Sequence, residues 1–287
     1  MPAVSHIYFK PLFRGIGQIM LQNNALTGLL FLAGIAVNSV EMFIAALIGL
    51  ISGHLSATVL GTEAEHRQQG LYGFNGALTG LMICFFWPIS VLNLLIICAA
   101  AMLTSVSMKL FLKCSVLPPF TAPFILSGWL ILLLCDRGAA AVAIAGDVSF
   151  LSLVEALFKG LGQVMFQDNG ISGLLFLAGL FVASKTAGSW ALLATVVSVI
   201  AAFLMNFSDT RILSGLYSYN AVLVAVALSA NKTISPVFVC LGILLTVLIA
   251  ELFLMSGIIP LTAPFVIGAW CMLLIEQGVK NRMKSQT

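Results

Sequence analysis

The polar residues of this chain that recur at regular places are amides and hydroxyls. Gln18 follows Gly15 and Gly17, and the next turn carries Gln22, Asn23 and Asn24; Gln163 follows Gly160 and Gly162 and is trailed by Gln167, Asp168 and Asn169. A second polar set surrounds Thr121, with Pro118 and Pro119 before it and Pro123 after it, and it recurs at Thr262 between Pro260 and Pro264. Proline removes a backbone donor and releases carbonyls from helix bonding, so the backbone beside each threonine should expose oxygens. Together these groups form a set of neutral acceptors suited to a polar solute that donates hydrogen bonds. The competing reading is structural: the amides join helices to each other, and each proline kinks a packed helix whose threonine bonds its own backbone.

A third recurring element pairs an aromatic with an aliphatic residue at i, i+4, Phe74 with Leu78 and Tyr219 with Leu223, which puts both side chains on one helical face. Such a face either lines a path or packs against another helix. Asn75 and Asn220 follow the aromatics and are expected to bond between helices. Paired carboxylates, a nucleophile with its base, and a metal-ligand cluster are not legible, which argues against an enzyme and against a metal or other cofactor. His6, His54 and His66 have no repeated counterparts. Lys109 and Glu251 lie near the ends of apolar segments and are expected to snorkel to the interface, whereas Asp168 sits within a repeated polar motif. An ionisable residue there motivates an ion-coupled carrier as the alternative function.

The elements that must position these residues are hydrophobic helices. Of 287 residues, 61% are hydrophobic and 8% charged, against about a quarter charged in soluble domains. Apolar stretches of membrane-spanning length, roughly 17 to 25 residues, recur from near Gly15 to Ile275. The net charge of +3 comes from basic residues scattered singly until the tail, which argues against nucleic acid as a partner. The six cysteines lie within or at the ends of apolar segments without metal-ligand spacing, and read as packing or lipid-facing thiols. The first residues lack the basic region and separate apolar core of a signal peptide, so the N-terminus is expected to be retained.

Self-comparison at an offset of 145 aligns Gly15–Gly34 with Gly160–Gly179 at 13 identities in 20 positions. The same offset pairs GLYGFN at Gly70 with GLYSYN at Gly215, and an offset of 141 pairs the two TAPF segments at Thr121 and Thr262. The chain is therefore expected to be two membrane repeats, 1–145 and 146–287. Five apolar segments divide the first, about Gly15–Val37, Met42–Gly61, Leu71–Trp87, Ile89–Leu112 and Val116–Cys135, and the second repeats the count. Helices are required because lipid supplies no hydrogen-bond partners. An odd number of crossings inverts the second copy. With a cytoplasmic N-terminus, Lys10, Arg14, Arg67, Lys109, Lys113, Lys185, Lys232, Lys280, Arg282 and Lys284 fall inside and Arg137, Lys159 and Arg211 outside, as the positive-inside rule asks; both termini are then cytoplasmic.

The GxGQ segments followed by QNN and QDN, the GLYGFNG and GLYSYN segments and the repeated TAPF together resemble the urea transporter family, particularly its compact bacterial members. The resemblance implies an all-α integral membrane protein: two inverted repeats of five transmembrane helices, each with a tilted re-entrant helix, around a central pore. It further implies one pore per subunit of a homotrimer, located in the cell (inner) membrane among its lipid. By the same resemblance Gln18 and Gln163 match positions near the mouths of a filter, Thr121 and Thr262 its central threonines, and Phe74, Leu78 and Leu223 slot-lining positions. Leu21 stands where the family often has phenylalanine, Phe166 occupies the repeat position, and Tyr219 replaces the phenylalanine of the other half. The expected function is passive conduction of urea. A flat, uncharged molecule rich in N–H donors suits neutral oxygens walled by aromatic faces, while ions find no charge to offset their lost hydration.

Overall fold

A computed structural model describes residues 4–135 and 147–285. Arg137 and the expected boundary between repeats after residue 145 lie outside the described residues, as do the side chains of His6, Arg282 and Lys284. The chain is an all-α, multi-pass membrane protein. Its helices occur in two runs of like order. The first is α1 (Val4–Gln18), α2 (Ala25–Asn38), α3 (Val40–Val59), α4 (Ala64–Gln68), α5 (Gly73–Phe86), α6 (Val91–Cys114) and α7 (Ala122–Leu134). The second is α8 (Phe150–Gly162), α9 (Gly170–Ala183), α10 (Lys185–Leu204), α11 (Asp209–Leu213), α12 (Ser218–Ser229), α13 (Pro236–Met255) and α14 (Ala263–Ser285).

Among the described residues, five helices are long and apolar enough to cross a membrane: Val40–Val59, Val91–Cys114, Lys185–Leu204, Pro236–Met255 and Ala263–Asn281. Only a third to a half of each such stretch is buried within the protein. The rest presents side chains such as Leu55, Leu95, Leu103, Ile200, Leu241 and Leu252 outward, an apolar surface that lipid accommodates and water does not. The segment preceding α10 is broken: Phe150–Met165 and Gly170–Ala183 meet at 75°. Among the described residues, four apolar helices, α2, α5, α7 and α12, are shorter than those five. α5 and α7, at 14 and 13 residues, reach about 20 Å at 1.5 Å per residue, less than the hydrocarbon thickness of roughly 30 Å.

Helix ends explain the breaks. α1 stops where Leu21 adopts φ 62°, with Gln22 N–H donating to the Gly17 carbonyl and Leu21 N–H to that of Gln18. This is a Schellman termination carrying leucine where glycine is usual. Phe166, φ 60°, ends the second copy with the matching Gln167-to-Gly162 and Phe166-to-Gln163 bonds. Asn24 Oδ1 then accepts from the N–H groups of Leu26 and Thr27 to start α2, and Asn169 from those of Ile171 and Ser172 to start α9, the usual work of an N-cap asparagine. These caps favour the structural reading of Asn24 and its copy. At the far end of α2, Ser39 N–H closes the helix on the Ile35 carbonyl while its hydroxyl opens α3 by accepting from Met42 N–H; Ser184 does both for α9 and α10.

The two runs meet along α2 and α9. Thr27 donates to the Gly179 carbonyl at 2.8 Å, and Ser172 to the Gly34 carbonyl at 2.8 Å. Phe31 and Phe176 meet edge to face at 5.2 Å between centroids. Reciprocal bonds of this kind are what a local two-fold relation generates. Within the runs, small residues bring backbones together: a Cβ on Gly49 would lie 2.1 Å from the Gly76 carbonyl oxygen, so α3 and α5 cross in direct backbone contact.

Candidate functional site

Gln18 ends α1, and its Nε2 donates to the Gln69 carbonyl at 3.1 Å; Gln163, directly after α8, makes the same bond to the Ser214 carbonyl at 3.1 Å. Each acceptor belongs to the turn before a short helix, α5 or α12. Anchoring the NH2 end fixes the amide and leaves Oε1 as its acceptor. Gln18 is 8% exposed and Gln163 about half-buried. The neighbouring glutamines turn back on their own break instead, Gln22 Nε2 to the Met20 carbonyl at 2.9 Å and Gln167 Nε2 to that of Met165 at 2.5 Å. Gln167 also accepts from Asn38 Nδ2 at 2.9 Å. Gln22 and Gln167 therefore hold the fold at these breaks.

The threonines begin α7 and α14, where a threonine hydroxyl ordinarily caps the first turn. Here that task falls to asparagines distant in sequence: Asn75 Oδ1 accepts from Phe124 N–H at 3.2 Å and Asn220 Oδ1 from Phe265 N–H at 3.2 Å. The hydroxyls are thereby released to each other, and Thr262 donates to Thr121 Oγ1 at 2.7 Å. Both threonines are buried, at 3% and 0% exposure. The interhelical role expected of Asn75 and Asn220 thus takes the form of capping from another helix.

The backbone carbonyls near the two threonines are only partly available. Trp129 Nε1 donates to the Ile259 carbonyl at 2.9 Å and Trp270 Nε1 to the Pro118 carbonyl at 2.8 Å, each reaching across to the other run. Sequence reasoning missed both tryptophans, although they recur at the same 141-residue offset as the threonines. The Leu261 carbonyl accepts from Tyr219 Oη at 2.6 Å and from Asn220 Nδ2 at 3.2 Å.

A cavity of about 310 Å³ opens from the second run. Gln163, Phe166, Tyr219, Leu261 and Thr262 line it, with Phe85 contributed by the end of α5. The structure therefore brings four of the sequence-predicted residues into one space, which reaches the threonine pair. Phe166 packs against Phe85 at 5.4 Å and edge-on against Phe124 at 6.3 Å; Phe85 and Phe86 went unrecognised in the sequence because apolar aromatics at a helix end carry no distinguishing local signal. Phe74, Leu78 and Leu223 are buried. Leu21 and Gln18 stand at the corresponding break of the first run, outside this cavity.

The charged candidates lie elsewhere. Asp168 is 45% exposed and pairs with Lys159 at 3.5 Å, in a shallow groove with Glu155 and Phe158. Lys109 Nζ reaches the Leu60 carbonyl past the end of α3 at 2.9 Å. Glu251 turns inward, where it accepts from Tyr217 Oη at 2.6 Å and meets Arg211 Nη1 at 3.4 Å with only 15% of its side chain exposed.

Residues 9–277 match a family described as urea transporter. Urea transporter 1 of Rattus norvegicus is 26% identical over 241 residues, covering 76% of this chain and 62% of the relative. Urea transporter 1 of Ovis aries is 25% identical over 239 residues, covering 75% and 61%. The chain thus aligns with a little over three-fifths of the length of these relatives.

Proposed function

The chain belongs to the urea transporter family, and from that premise we propose that it is a passive conduit carrying urea down its concentration gradient. The observation that carries this reading is the cavity running from Gln163 and Phe166 to Thr262, every lining residue of which is uncharged. In this reading Gln18 and Gln163 accept from urea near the two mouths, and Thr121 and Thr262 exchange their mutual bond for bonds to the solute at the centre. Leu21, Phe74, Leu78, Phe166, Tyr219 and Leu223 flatten the path. Each polar group of urea left unpaired in a dry site costs on the order of a few kcal/mol, so a sequence of weak neutral acceptors both admits the molecule and lets it leave. A cation gains too little from such a lining to offset its hydration.

The same reading takes the two runs of helices as repeats inserted in opposite senses in the cell membrane, with both termini cytoplasmic, and the assembly as a homotrimer. The recurring bonds between α2 and α9 support the repeat, and the distribution of basic residues supports the orientation. The ion-coupled alternative loses its motive, because Asp168 is an exposed partner of Lys159 outside the cavity. The test is stopped-flow urea uptake into proteoliposomes of verified insertion, with and without an imposed proton or sodium gradient. Rapid equilibration that ignores the gradient is expected. Uptake no faster than in empty vesicles, or accumulation driven by the gradient, would overturn the proposal.

A further inference from the structure

The two runs of helices treat one pair of corresponding carbonyls differently. Leu261 and Phe120 occupy equivalent places one residue before the threonines, and both have left-handed backbones, with φ 46° and 45°. The Leu261 oxygen accepts from Tyr219 Oη at 2.6 Å and from Asn220 Nδ2 at 3.2 Å. A carbonyl has two lone pairs, so this oxygen is saturated by the protein. In the first run the place of Tyr219 is taken by Phe74, which has no hydroxyl, and Asn75 Nδ2, although fully buried, has no hydrogen-bond partner. The Phe120 carbonyl therefore receives neither of the bonds that occupy Leu261.

We infer that Tyr219 is a positioning residue for specificity: its hydroxyl withdraws the Leu261 carbonyl from the solute path and leaves the second run with one acceptor fewer than the first. The inference rests on the conduit reading above. Tyr219, Leu261 and Thr262 all line the same cavity, which puts the carbonyl that Tyr219 covers on a residue of the cavity wall beside the threonine pair; in the inference, freeing it offers the solute an N–H acceptor there. The missing acceptor matters more for a solute with two amino groups than for one with a single amino group. Urea and acetamide are both uncharged and differ in that respect; acetamide's methyl is also thicker than a planar amino group, so a wider slot lowers the urea-to-acetamide permeability ratio, an added acceptor raises it, and a change in stability moves both together.

The test compares urea and acetamide permeation, below saturation, through proteoliposomes containing the wild type, Tyr219→Phe, Phe74→Tyr and the double exchange. Tyr219→Phe is expected to raise the urea-to-acetamide ratio about 3- to 10-fold, the effect of one added hydrogen bond, and to lower the half-saturating urea concentration. Phe74→Tyr is expected to lower the ratio by covering the Phe120 carbonyl, and the double exchange to return it toward the wild-type value. Either single variant decides the matter if the other fails to fold. A ratio that stays at the wild-type value in a folded single variant, with both permeabilities unchanged or scaled together, overturns the inference while urea flux through the wild type leaves the conduit intact. Wild-type vesicles impermeable to urea would overturn both.

Discussion

The hydroxyl of Thr262 donates to that of Thr121 at 2.7 Å although 141 residues separate them. Each is the other's partner at a buried point between α7 and α14. Thr121→Val or Thr262→Val alone leaves the surviving hydroxyl buried and unpaired, at about 1–3 kcal/mol, whereas Val at both positions removes the orphan. The double variant is therefore expected to melt at a higher temperature than the sum of the two single losses implies. A thermal unfolding series in detergent checks this, and strict additivity would contradict the pairing. Urea permeability should be lowest in the double variant.

Asn75 and Asn220 both cap a distant helix, but only Asn220 also donates to a carbonyl. Alanine at either position should cost about 1–2 kcal/mol through the lost cap. The loss at Asn220 should be larger by roughly the 0.5–1.5 kcal/mol of a further hydrogen bond. Equal destabilisation in denaturant titrations would show that the Leu261 contact contributes nothing.

Leucine at Gln163 replaces an amide that lines the cavity with a side chain of similar size and no acceptor. Urea permeability should fall on the order of tenfold, the factor that about 1.4 kcal/mol represents, while the protein keeps its elution position in size-exclusion chromatography. Gln18→Leu should act alike. Undiminished flux in both variants would remove the amides from the path.

Asp168→Asn breaks an ion pair whose carboxylate is 45% exposed. Exposed pairs contribute roughly 0–1 kcal/mol, so stability should barely change, and urea uptake should match the wild type with or without an imposed ion gradient. A variant that equilibrates urea where the wild type concentrates it would restore the coupled carrier.

At Gly28 an added Cβ would stand 1.8 Å from the Phe13 carbonyl oxygen, and at Gly173 the same distance from that of Phe158. Backbone has no rotamer by which to retreat, so alanine at either position should push α1 from α2, or α8 from α9. The expected loss is at the upper end of overpacking effects, about 3 kcal/mol or more. Reduced yield of monodisperse protein is the readout.

Much of this arrangement was legible as duplication. The repeated GxGQ, GLY and TAPF segments located the breaks, and the apolar runs between them located the long helices, because lipid burial imposes its pattern on every residue of a span. The helix ends at Leu21 and Phe166 were not legible: the ordinary marker of such an end is glycine, and here a bulky residue holds the left-handed conformation. Nor could local pattern distinguish amides that bond a distant turn from amides that tie a break together. Gln18 and Gln22 are four residues apart, yet one donates to a carbonyl 51 residues away and the other to one 2 residues away. The exposed pairing of Asp168 with Lys159 depends on the fold of the α8–α9 break, and Tyr219 revealed its hydrogen-bond partner only once the segment leading into α14 was packed beside it.

Ser39 and Ser184 each end one helix with a backbone N–H and begin the next with a hydroxyl, leaving no spacer between them. A corner of this kind leaves no loop to act as a hinge between α2 and α3 or between α9 and α10, so in the proposed conduit these helices are expected to stay fixed as the solute passes. Permeation should accordingly show the shallow temperature dependence of diffusion in a fixed tube instead of the steep one of a machine that must rock at every turnover.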